Sequence, residues 1–154
     1  MNEEFMREAI RLSVENVHAG GGPFGCVIVK NGSVIARGTN KVTSSNDPTA
    51  HAEVVAIREA CTALGTFQLT GCEIYTSCEP CPMCLGAIYW ARPDRIYFAN
   101  SREDAANIDF DDLFLYEELG KQIDQRTIPT TQILRDEALA AFTAWQLKKD
   151  KIEY

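Results

Sequence analysis

The 154 residues suffice for one ordinary domain with its own core. At 45% hydrophobic and 24% charged the composition is that of a globular chain, which excludes disordered, collagen-like and low-complexity proteins. No apolar run approaches the ~20 residues needed to cross a bilayer, and the chain opens on Glu3 and Glu4 instead of an apolar signal segment, so a cytoplasmic protein without a membrane partner is expected. Fifteen basic against twenty-two acidic residues give a net charge of −7, short of the clustered Lys and Arg that a phosphate-tracking surface needs, so nucleic acid is not an expected partner.

The chain shows no internal repeat and no linker-like stretch. Asn2 is placed to cap a first helix in which Met6, Ile10, Val14 and Val17 recur at helical spacing, and Gly20, Gly21 and Gly22 end it. Residues 24–30 (FGCVIVK) and 33–38 (SVIARG) flank Asn31-Gly32, the pair suited to a type I′ turn because both positions need positive φ, and predict a hairpin. A polar loop over 40–46 leads to Asp47-Pro48, which opens a helix through HAEVVAIREACTAL that stops at Gly65. CEIYTS at 72–77 reads as a strand. Pro80 or Pro82 starts a third helix halted by Pro93, and RIYFAN at 95–100 is the next strand. Residues 103–119 predict a short helix, TIPTTQIL an edge strand that tolerates Pro129, and 136–149 a last helix.

A hairpin followed by alternating helices and strands predicts an α/β protein, a three-layer α/β/α sandwich with one mixed five-stranded sheet covered on both faces. Charge along it is uneven: residues 101–120 hold seven acids and one Arg, a net of −6 against −7 for the whole chain. The plain reading of that segment is a solvated helix face.

Of the six cysteines, Cys26, Cys61 and Cys72 lie alone in apolar surroundings and read as core fillers. Cys78, Cys81 and Cys84 sit three apart in TSCEPCPMC, too close to pair with one another. Cys81 and Cys84 stand one turn apart at a helix start, where two thiolates can grip one zinc ion at ~2.3 Å and the helix dipole lowers thiol pKa. His51, upstream in TAHAEV, is a third ligand, which leaves the fourth tetrahedral position open to water. Zinc lowers the pKa of that water to ~7, and Glu53 is the carboxylate placed to move protons. Residues two apart on a regular helix point about 200° away from each other, so His51 and Glu53 must straddle the helix entrance.

Other readings compete. A redox CxxC would not need an HxE upstream, and an iron–sulfur site lacks a fourth cysteine, since Leu85, Gly86, Ala87 and Ile88 follow Cys84. A noncatalytic, zinc-stabilised binding module would place Cys78 in the fourth position. HxE followed by PCxxC, the signature of zinc nucleobase deaminases, outweighs these. His18, the only other histidine, reads as a helix-end or surface residue.

Longer stretches carry a resemblance: GGPFG at 21–25, NDPTAHAEV at 46–54, TSCEPCPMCLGAIYWARP at 76–93, FDD at 110–112, RTIP at 126–129 and a terminal tyrosine. Over most of its length the chain resembles the cytidine-deaminase-like superfamily, and within it the small bacterial guanine deaminases. The resemblance implies a cytidine-deaminase-like fold, zinc on His51, Cys81 and Cys84, and proton transfer by Glu53. It further implies that Asn40 hydrogen-bonds the purine edge, Ala52 offers a backbone contact, Phe24 and Trp90 wall the pocket, and Asp112 is a second proton carrier, with Asp111 beside it as the other candidate. On residue type alone Phe24 and Trp90 equally read as core, and Asn40 as a turn former. Asp109 stands where the resemblance leads one to expect glycine.

The implied chemistry is zinc-dependent hydrolytic deamination of guanine to xanthine and ammonia in purine salvage or catabolism. Guanosine, cytosine and tRNA adenosine could be deaminated by the same zinc and glutamate, although the tRNA reading calls for a basic groove. Members of the family are homodimers whose C-terminal segments exchange, so residues 1–154 are expected to form one deaminase domain whose Tyr154 reaches the other subunit's substrate.

Overall fold

In the computed structural model, which describes residues 2–154, the Asn2 carboxamide accepts from the Glu4 N–H and starts α1 (Glu3–His18). The face that α1 buries differs from the predicted stripe. Phe5, Met6, Ala9, Leu12 and Ser13 turn inward, whereas Ile10, Val14 and Val17 stay largely exposed. Close approach selects that face: a Cβ on Gly25 would lie 2.3 Å from Ala9 O, so a glycine in the strand meets the small residues Ala9 and Ser13 of the helix.

The hairpin forms as predicted, with β1 (Gly25–Lys30) and β2 (Ser33–Thr39) joined through Asn31 at φ 51° and Gly32 at φ 76°. The loop after it contains a short helix, α2 (Val42–Ser45). The helix expected to open at Asp47-Pro48 begins later, as α3 (Ala52–Leu64). Asp47 Oδ1 accepts from both the N–H and the hydroxyl of Thr49, at 2.8 and 2.7 Å, and this Asx turn delays helix entry. Gly65, at φ 63°, ends α3. Then come β3 (Cys72–Cys78), α4 (Pro82–Ala91), with Pro82 in its first turn, and β4 (Arg95–Asn100).

The sheet order is β2-β1-β3-β4; β1 runs antiparallel to β2 and β3, and β3 parallel to β4 across the α4 crossover. It is a mixed sheet of four strands and not the predicted five, because TIPTTQIL forms no strand. Pro129 cannot donate to a ladder, Thr127 gives its N–H and hydroxyl to the Glu118 carboxylate, and Leu134 turns the chain at φ 52°. Helices cover both faces. Ala9 of α1 closes over Val27, Val29 and Tyr75, while α3 and α4 close over Cys26, Ile28, Cys72 and Ile74. Cys26 and Cys72 are core fillers there, with Cys61 packed against them.

The chain divides into two compact units, Met1–Asp112 and Leu113–Tyr154. Where one short helix was predicted over 103–119 there are two. The first, α5 (Arg102–Ala106), is held by a capping box between Ser101 and Asp104; the second, α6 (Leu113–Gly120), opens the second unit. That unit continues through a 3-10 turn at Ile123–Gln125 to α7 (Arg135–Leu147), and none of its described residues is buried. No helix of the described residues is long and apolar enough to cross a membrane.

Candidate active site

Two helix starts bring together the residues that could hold a metal. His51 is the N-cap residue of α3 and Cys81 that of α4, both with extended backbone, so neither side chain is committed to the outer surface of a helical turn. Cys84, one turn into α4, is fully buried. The ligand atoms of His51, Cys81 and Cys84 all lie within 4.8 Å of one another, and among the described residues no other such group of His, Cys, Asp and Glu forms. His51 Nδ1 stands 3.6 Å from Cys81 Sγ. A tetrahedral zinc with Zn–S of ~2.3 Å and Zn–N of ~2.0–2.1 Å would hold N and S ~3.6 Å apart, so the His51–Cys81 pair fits that ion in spacing and the three donors fit it in chemistry.

Glu53 is the second residue of α3 and 5% exposed. Because His51 precedes the helix and Glu53 lies inside it, the two face one site despite their i, i+2 spacing. Glu53 Oε1 accepts from the Thr76 hydroxyl at 2.9 Å, and Oε2 from the Cys84 thiol at 3.3 Å. Cys78 lies outside the ligand group and donates its S–H to Ser101 O at 3.5 Å.

The remaining expected residues fall into three placements. Phe24, Asn40 and Ala52 are linked through the backbone around β1 and β2: Asn40 N donates to Phe24 O at 3.2 Å, and Ala52 O comes so near β2 that a Cβ on Gly38 would lie 2.1 Å from it. Phe24 also meets Phe110 edge to face, with centroids 5.0 Å apart, which anchors the FDD segment beside the loop before β1. Asp112 follows in that segment, partly buried, whereas Asp111 is exposed. Asp109 has φ 67°, so the position does require the left-handed conformation that glycine adopts freely; aspartate tolerates it better than most residues. Trp90 is 64% exposed, so it is no core residue, and it lies ~13 Å along the α4 axis from Cys81. Tyr154 is 70% exposed in the second unit.

Residues 1–100 match the model of the cytidine and deoxycytidylate deaminase zinc-binding region. The chain belongs to this deaminase family. A guanine deaminase of Bacillus subtilis (strain 168) is 56% identical over 154 residues, which is 99% of this chain and 99% of that protein. An X-ray structure of guanine deaminase from Bacillus subtilis aligns with a TM-score of 0.97 at 57% identity, covering 100% of this chain and 99% of the other. A tRNA-specific adenosine deaminase of Aquifex aeolicus (strain VF5) is 42% identical over 97 residues, 63% of this chain and 64% of that protein.

The electrostatics of this deaminase site follow from burial and the donor pair. Hydrogen bonds from Cys84 and His51 hold the Cys81 thiol down at about 4, against its burial, so a thiolate is ready without metal. Its hydrogen bond to Cys81 raises His51. Its hydrogen bond with Cys81, and then burial, push the Cys84 thiol well up. Cys78 is pushed up to about 11, by burial first and then by the charge of Glu53. Burial raises Glu53, with Thr76 and Cys84 opposing. Asp112 is raised by burial and then by the Cys81 thiolate.

Sequence reasoning missed Thr76 and Asn16. The signal for Thr76 lay in CEIYTS: a strand closed on both faces cannot leave a hydroxyl without a partner. Asn16, which donates to two main-chain carbonyls from α1, carried no motif.

Proposed function

We propose that the chain deaminates guanine hydrolytically to xanthine and ammonia, as a cytoplasmic, zinc-dependent enzyme of purine salvage or catabolism. The observation that carries this reading is the joining of the His51–Cys81–Cys84 group to the buried Glu53 in a chain whose guanine deaminase relative matches end to end. The tRNA deaminase relative spans 63% of this chain, and the net charge of −7 offers no basic groove for its substrate.

Bound to His51, Cys81 and Cys84, zinc supplies Lewis acidity and a water activated near neutral pH. Glu53, fixed by Thr76, takes a proton from the attacking water and delivers it to ring N3 as oxygen bonds to C2. A carboxyl raised by burial suits a group that must both accept and return a proton. Asp112 then donates a proton to the departing 2-amino group as the C–N bond breaks, and the C2 hydroxyl proton passes to the carboxylates and restores it, so guanine and water become xanthine and ammonia. Asn40 holds the purine edge, Ala52 offers a backbone contact, and Phe24 and Trp90 wall the base. The unburied second unit, with Phe114, Ile128, Phe142 and Leu147 exposed, supports a homodimer in which this segment is exchanged and Tyr154 caps the partner's site.

Ammonia release by the zinc-loaded protein against guanine, guanosine, adenine, adenosine, cytosine, cytidine and transfer RNA tests the substrate. Turnover of guanine above all others is expected. A preference for guanosine would keep the chemistry and overturn the free-base pocket.

A further inference from the structure

Asn16 sits near the C-terminal end of α1, outside the metal group. Its Nδ2 donates twice, to Gly22 O at 2.7 Å and to Asn40 O at 2.9 Å. Those carbonyls are far apart in sequence, one just before β1 and the other just after β2. A single carboxamide therefore ties the GGPFG loop to the residue that holds the purine edge. The two glycines are shaped around this arrangement. A Cβ on Gly21 would lie 2.4 Å from Asn16 Nδ2, and a Cβ on Gly22 would lie 3.2 Å from Asn40 Cγ.

Asn40 is almost fully enclosed by these contacts. Its N–H donates to Phe24 O, its carbonyl accepts from Asn16, and its Oδ1 accepts from Val42 N at 3.2 Å. Among the described residues that leaves Nδ2 as its one polar group without an intramolecular partner. The carboxamide is thus held through its Oδ1, and Nδ2 is left as a donor for an acceptor atom of a base. Orienting a binding group in advance removes an ordering cost from the binding step.

We propose that Asn16 is a positioning residue for substrate binding: by holding the Gly22 and Asn40 carbonyls it presets the Asn40 carboxamide for the purine edge. The inference rests on the role given to Asn40 under the proposed function.

Guanine kinetics and melting temperatures of the zinc-loaded full chain, compared with Asn16→Ala, Asn40→Ala and the double variant, test it. Loss of Asn16 should raise KM about tenfold with kcat within about threefold, and the double variant should have a KM within about twofold of Asn40→Ala, because the two residues act through one contact. A KM for Asn16→Ala within about twofold of the parent, or effects that multiply in the double variant, would mark independent residues and overturn the positioning role while leaving Asn40 in place. An Asn40→Ala protein with unchanged KM would overturn the role of Asn40 itself, and the inference with it. Should Asn16→Ala fail to fold, Asn16→Asp keeps the shape and turns a carboxylate toward the two carbonyls. The same rise in KM is expected there, and an unchanged KM overturns the proposal.

Discussion

Residues 2–112 enclose Val27, Ile28, Ile74 and Tyr75 between helices on both faces of a sheet, whereas residues 113–154 bury none of their side chains. Both stretches are rich in apolar residues, so composition does not separate them; topology does. In the first, β1 pairs on both sides and presents alternate residues to two helix layers, and the burial offsets the entropy of ordering the chain. In the second, α6 and α7 leave Phe114, Phe142 and Leu147 open. In the proposed reading this segment completes its burial on a second copy of the chain.

The largest expected effect comes from breaking the first unit's site. Chelating metal from the holoenzyme should take guanine turnover to background, with recovery on adding zinc. Turnover that persists in metal-free protein would place the chemistry elsewhere. The next effect sharpens the role of the second unit. Glu53→Gln and Tyr154→Ala chains should each be nearly inactive alone, yet after co-refolding about a quarter of the parent activity should return, because half the dimers are mixed and each holds one intact site. If mixing restores nothing, Tyr154 does not serve its partner. The smallest effect tests support within the first unit. Thr76→Val leaves Glu53 Oε1 without its donor and should lower kcat about tenfold at little change in KM, with most of the loss regained in Thr76→Ser. Equal losses in the Val and Ser variants would assign Thr76 to packing alone.

The sequence was most legible where local chemistry decides the backbone. Asn31-Gly32 admits few turns other than the one found, and Pro82 and Gly65 mark helix ends by what they cannot or can adopt. The grouping of His51, Cys81 and Cys84 was legible for the same reason, since two helix starts limit where their side chains can point. Features set by distant parts of the chain were not. The buried face of α1 depends on Gly25 meeting Ala9, and the late start of α3 depends on Asp47 closing on Thr49. TIPTTQIL is rich in the β-branched residues of a strand, but Glu118 takes the donors of Thr127. The expectation of glycine at 109 was right about the backbone, at φ 67°, although aspartate fills the position. Thr76 and Asn16 act through partners 23 and 24 residues away, beyond any local pattern.

The most direct test of the account is Glu53→Gln, measured for zinc content, secondary structure and ammonia release from guanine in one preparation. The substitution keeps the size of the side chain and removes its ability to carry a proton. The account predicts retained metal and fold with turnover lower by ~10²–10⁴-fold. Parent-level turnover with zinc bound would contradict it.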